Sequence, residues 1–135
     1  MMPTDLVFHP VGCVSATTEE GFWQIAFTDD AHRPTLYLIC QNAFEYDEAD
    51  VRNGIDSHYV ECNDQSRSAY GGIERVALGR DRVYFTFAPE AGERLGLPCG
   101  LGLSFRLEDE AYAALTAHAA RIFGDRLHAM DASMP

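Results

Sequence analysis

The chain has no lysine; its ten permanently basic side chains are all arginine. Against them stand 21 acids, for a formal net charge of −11 over 135 residues. Phosphate backbones are gripped by basic footprints, so this balance excludes sequence-independent nucleic-acid binding. It excludes docking on an anionic membrane surface for the same reason. Long hydrophobic runs are missing too, and nothing approaches the ~20 residues of a membrane span. The opening Met-Met-Pro-Thr-Asp-Leu has neither the basic region nor the apolar core of a secretory signal, so the cytoplasm is the expected compartment. Cys13, Cys40, Cys62 and Cys99 lie far apart with no Cys-x-x-Cys, and three of them fall within apolar patterns. They are expected to be reduced, buried thiols acting as small hydrophobes, with no disulfide.

Signatures of chemistry are equally scarce. His9, His32, His58, His118 and His128 form no metal-ligand spacing. There is no P-loop, no Gly-x-Gly-x-x-Gly and no Gly-x-Ser-x-Gly. The glycine-rich run Gly96 to Gly102 joins a helix to a strand, the reverse of a phosphate loop. No metal and no cofactor are expected.

What is present is globular. The length suits one domain over 1–135, able to bury roughly two-thirds of the unfolded chain's surface. Leu6 to Val14, interrupted by His9, Pro10 and Gly12, reads as an edge strand or an irregular lead-in within residues 1–20. Phe22 to Thr28 alternates as a strand, with Trp23, Ile25 and Phe27 inward and Gln24 and Thr28 outward. Leu36 to Cys40 is apolar on both faces, as in a central strand covered on each side. Ile73–Leu78 and Val83–Phe87 form strands around a hairpin at Gly79–Arg82. Pro89 to Leu95 is a short helix that opens on proline and ends at Gly96. Leu101 to Leu107 alternates again. Glu108, Asp109 and Glu110 open the main helix, whose Leu115, Ala119 and Ile122 recur at helical spacing before Gly124 stops it. The tail 125–135 is expected to fray. This order predicts an α+β fold: a mostly antiparallel sheet, a C-terminal helix packed on one face, and a second short helix. Trp23, Leu38, Val83, Phe85, Leu103, Phe105, Leu115 and Ile122 are its expected core.

Two stretches depart from this scaffold. Asn42 to Asp56 gathers Glu45, Asp47, Glu48, Asp50 and Asp56 around Phe44, Tyr46 and Val51. Its spacing fits no calcium loop. It is either a solvated insertion or an acidic interaction surface with aromatic anchors. His58 to Arg75 opens as a strand, Val60 and Cys62 facing one way, Tyr59 and Glu61 the other. Asn63 to Ser66 then read as a polar loop, and Gly71-Gly72 as a hinge. His58, Glu61, Asp64 and Tyr70 are near enough along the chain to build an acid–base pair, although any polar strand and loop offers such a set. Glu61 is as well explained by an exposed pair with Arg75.

The residues Tyr59-Val-Glu-Cys-Asn-Asp-Gln65 and Tyr70-Gly-Gly-Ile-Glu-Arg75 resemble the signature of the immunity protein 10 family of bacterial polymorphic toxin systems. Glu93-Arg-Leu-Gly-Leu-Pro98 and Arg121-Ile-Phe123 agree, so the resemblance spans about residues 35–123. Cys62, where the family favours an aliphatic residue, and Ala69, where it favours glycine, depart mildly. The resemblance implies a cytoplasmic, non-enzymatic antidote that binds a cognate toxin domain, with a nuclease as one such partner and a basic surface as the fitting complement. Candidate partner-binding residues are Asp47, Glu48, Asp50, Tyr59, Glu61, Asp64 and Tyr70. Two rival readings stay open: a small enzyme or ligand-binding domain with a polar cleft near His58, Glu61 and Tyr70, and a homodimeric interaction domain with no toxin partner.

Overall fold

The computed structural model describes residues 8–30, 32, 35–54, 57–97 and 99–130. In chain order the elements are β1 Phe8–Pro10, β2 Cys13–Glu19, β3 Phe22–Thr28, β4 Tyr37–Ala43, α1 Glu48–Arg52, β5 Tyr59–Cys62, β6 Asp64–Tyr70 and β7 Ile73–Leu78, followed by β8 Arg82–Phe87, α2 Pro89–Leu95, β9 Gly100–Ser104, α3 Asp109–Phe123, a 3₁₀ turn Gly124–Arg126 and β10 Leu127–Ala129. The fold is α+β and mostly antiparallel, as expected. The strands divide into two sheets, however, where the sequence suggested one. The first is the antiparallel meander β2-β3-β4-β5-β6. The second has the order β1-β9-β8-β7-β10, its antiparallel centre flanked by β1 parallel to β9 and β10 parallel to β7.

The chain changes sheet at Gly71-Gly72. Both have positive φ, 74° and 90°, which glycine alone adopts without strain. A Cβ on Gly72 would collide with Ala91 of α2, so the hinge passes directly beneath that helix.

The sheets meet face to face through alternate residues. Ile25, Phe27, Leu38, Cys40, Val60, Cys62 and Ala69 point inward from the meander. Phe27 packs edge-on against Phe85, with ring centroids 6.0 Å apart, and lies 6.4 Å from Phe105. Helix α3 lies against β2, β3 and β4, burying Leu115, Ala119, Ile122 and Phe123, and Phe123 reaches Phe85 at 6.0 Å. The two departures from the family pattern, Cys62 and Ala69, are therefore packing positions.

Several expectations are corrected. Asn63 to Ser66 is not a loop: Asn63 alone turns the chain at φ 65°, and β6 starts at Asp64. The polar sequence of β6 follows from its place at an edge, paired to β5 through a bulge. The tail does not fray at once; β10 pairs with β7 and the Met130 amide bonds to Leu78. Trp23 is half-buried, lying at the margin with Phe44 at 4.5 Å. Cys40 and Cys62 are buried, whereas Cys13 and Cys99 are exposed, one on an edge strand and one between α2 and β9. Of the lead-in, Leu6 and Val7 lie outside the described residues, as does Asp56 of the acidic stretch.

Candidate functional site: the outer face of the meander

Alternation that sends Leu38 and Cys40 inward sends Tyr37, Ile39 and Gln41 outward. The same logic places Phe22, Gln24, Ala26 and Thr28 of β3, Tyr59 and Glu61 of β5, and Ser68 and Tyr70 of β6 on that outer face. The helix contacts fall on the other side: α3 touches Thr18 and Asn42, and α2 receives Arg67. Among the described residues, no helix covers the outer face. Leu36 to Cys40 is therefore a central strand covered on one face, not two.

The chemistry of the face is aromatic and amide, with one charge near its middle. Glu61 accepts from the Tyr37 hydroxyl at 2.6 Å through Oε2 and from the Tyr59 hydroxyl at 2.6 Å through Oε1. The hydrogen bond to Glu61 pushes the Tyr37 phenol up to about 12. Burial, with Glu61 next, raises Tyr59 as well. Both tyrosines thus stay protonated at neutral pH and hold the carboxylate in one orientation. Arg75 does not pair with Glu61; it belongs to β7 in the other sheet. Tyr70 stacks at a tilt on Tyr59, 5.2 Å between centroids, and is half exposed. Gln41 donates to Gln24 at 2.7 Å.

Acids stand at both ends of the strands. Asp47 caps α1, accepting from the Asp50 amide at 2.8 Å while Asp50 accepts from the Asp47 amide at 3.0 Å. Helix α1 thereby fixes Asp47, Glu48 and Asp50 beside Phe44 and Val51, both exposed. Asp50, Tyr59 and Tyr70 join Phe22, Gln41 and Tyr46 around a shallow hollow of about 220 Å³. At the opposite end, Asp64 accepts from the Ser66 amide at 2.9 Å, which lowers its pKa. Asp29 accepts from Asp30, Thr35 and Leu36, and those bonds, Thr35 first, hold its carboxyl near 2.

The sequence candidates thus fall into three groups. Tyr59, Glu61 and Tyr70 share the face, Asp50 borders it with Asp47 and Glu48 on the same short helix, and Asp64 lies at the far turn. Tyr37, Ile39, Phe22 and the glutamine pair were missed. The outward direction of Gln24 and Thr28 was the signal that would have found them. The supposed cleft does not assemble: His58 is 1% exposed on the inner side, its Nε2 accepting from the Ile73 amide at 3.2 Å, while Glu61 and Tyr70 face outward. Burial lowers His58 to about 4, with Arg126 adding to the effect.

Charge is divided as the sheets are. Residues 1–70, up to the hinge, carry twelve acids and three arginines, and residues 71–135 carry nine acids and seven arginines. No helix among the described residues is long and apolar enough to cross a membrane. Among them, no three His, Cys, Asp or Glu side chains converge as a metal site requires.

No curated protein matches the chain. The sequence model of the family described as Immunity protein 10 matches residues 11–113, beginning earlier than the resemblance traced above and ending within α3. That span takes in the whole meander, the hinge and β7, β8 and β9 behind it, and the chain belongs to the immunity protein 10 family.

Proposed function

We propose that the chain neutralises a cognate bacterial toxin domain by binding it on the outer face of the meander, without catalysis. The family supplies the class of partner. The observation that carries the surface is the uncovered face itself: tyrosines and Ile39 around an oriented Glu61, with Asp47, Glu48, Asp50, Asp64 and Asp29 at the strand ends. Aromatic side chains of this kind are the usual anchors of protein interfaces, and rim charges steer the encounter. The acids complement a basic partner surface, which a nuclease presents in its nucleic-acid groove. The cytoplasm, where such a toxin acts, is the proposed place of binding.

The test is the association and dissociation rates against a cognate toxin domain, at low and high salt. Asp47→Asn, Glu48→Gln and Asp50→Asn together keep capping oxygens on α1 but remove three charges. Association is expected to slow and its salt dependence to flatten, because salt screens such charges over about 8 Å at physiological ionic strength. Tyr59→Ala or Tyr70→Ala is expected to act through faster dissociation, costing ~2 kcal/mol as an interface anchor. Wild-type association indifferent to salt, with the triple variant binding as fast, would sink the electrostatic account. Tyrosine variants that dissociate like wild type would move the interface off this face.

A further inference from the structure

An edge strand leaves half of its backbone amides and carbonyls without a ladder partner, and folded proteins discourage further pairing there with short strands, proline, charge or bulges. Among the described residues the two sheets have four edge strands. β1 has three residues and ends in Pro10, and β10 has three residues. β6 opens on Asp64, pairs through a bulge and turns Arg67 back to the Leu95 carbonyl. β2 is the least protected of the four, its one charge, Glu19, standing at its last residue. It runs seven residues in unbroken register with β3, and Cys13 to Thr18 contain neither charge nor proline.

The direction of its free groups follows from the ladder. Phe44 N donates to Gly21 O and Asp29 N donates to Leu36 O, so the odd-numbered residues of β3 bond toward β4. The even-numbered ones bond toward β2, to Cys13, Ser15, Thr17 and Glu19. Val14, Ala16 and Thr18 therefore point their amides and carbonyls out of the sheet.

We propose that a second copy of this chain pairs here, β2 antiparallel to β2, about a two-fold axis through Ala16. This register uses the three outward residues: Ala16 lies opposite Ala16 of the second copy, and Val14 opposite Thr18. Each Glu19 then faces Cys13 rather than another carboxylate, so no like charges meet across the strands. The neighbouring helix leaves room. His118 of α3 bonds to Thr18, and the residues sharing that helix flank at spacings of four and seven, Ala114 and Ala111, are small. The product is one ten-stranded sheet with a doubled outer face. The inference goes beyond the toxin reading and does not rest on it.

Sedimentation of the full chain, without toxin, over a wide concentration range at low and high salt is the test. A dimer is expected, and it should tighten with salt because both copies carry −11. Ala16→Pro removes an outward amide that the ladder leaves without a partner among the described residues, so the monomer should fold and the dimer should weaken about tenfold or more. A wild-type monomer at all concentrations overturns the proposal. So does a dimer that survives Ala16→Pro in a folded protein, or a variant whose only defect is toxin binding. Should Ala16→Pro not fold, amide exchange decides: Val14, Ala16 and Thr18 in wild type should slow as concentration rises, and exchange independent of concentration is the contrary result.

Discussion

The two sheets are built from similar strands and differ in what lies on their outer faces. The meander shows tyrosines, amides and one oriented carboxylate, with acids at its ends. On the outer side of the second sheet, Tyr84 lies across Gly100, where a Cβ would collide with its ring, and Phe8 packs on Tyr84 at 6.1 Å with Arg82 above Phe8. There the outward residues satisfy one another. The comparison teaches that a face whose tyrosines and carboxylate hold one another in place, with no helix over it among the described residues, is a face available to another molecule, and the lopsided charge distribution favours the same one.

The largest expected effect tests whether the buried interface between the sheets carries the stability. Phe85 is fully buried, against Phe27, Phe87 and Phe123. Phe85→Ala should cost about 3–5 kcal/mol, whereas Tyr59→Ala on the outer face should cost about 1 kcal/mol. Equal shifts of the denaturant midpoint would erase the distinction.

Next comes His58, which ties the meander to the start of β7. Its folded value of about 4 lies below its ordinary 6.5, so the unfolded chain takes up the proton first as pH falls. Stability is full above pH 6.5, declines toward pH 4 and then levels, a loss of roughly 3 kcal/mol. Protonation also removes the acceptor of the Ile73 amide. Denaturant midpoints against pH should slope through this window in wild type and lose that slope in His58→Gln. An unchanged slope would mean that the imidazole does not govern it.

The smallest effect lies on the outer face. With Glu61→Gln, the phenols of Tyr37 and Tyr59 lose a carboxylate partner, and in an absorbance titration the Tyr37 limb should move down from about 12 toward 10, with Tyr59 moving down as well. A limb that stays in place would show that the tyrosines are held by something other than Glu61.

Much of this was legible in the sequence because the signals were local. Pro89 opens α2 and left-handed Gly96 ends it, while Asp109 and Glu110 lie in the first turn of α3, where they complement its dipole. The alternation in Phe22–Thr28 gave that strand its bounds and its inward face. Partition into two sheets was not legible, since alternation says which way a side chain points and not which strand lies beside it. The three residues of β10 are too few to show a period. β6 was hidden because Asp64 and Ser66 prefer turns in isolation, and pairing with β5 overrides that preference. Of the site, Tyr59, Glu61 and Tyr70 were visible as a polar side of one stretch, while Tyr37 became a neighbour of Glu61 only through the β4–β5 register.

The parallel strands flanking the second sheet also set an order of assembly. Each pair in the meander joins strands consecutive in the chain, so that sheet can zip from hairpins with little loop to close. Phe8, by contrast, pairs with Gly102, and Leu127 with Val76. Those closures span much of the chain and come late in synthesis, although each doubling of a loop adds only about 0.6 kcal/mol. The face proposed for a partner is thus made of contacts close along the chain, and the sheet that secures it is closed by the distant ones.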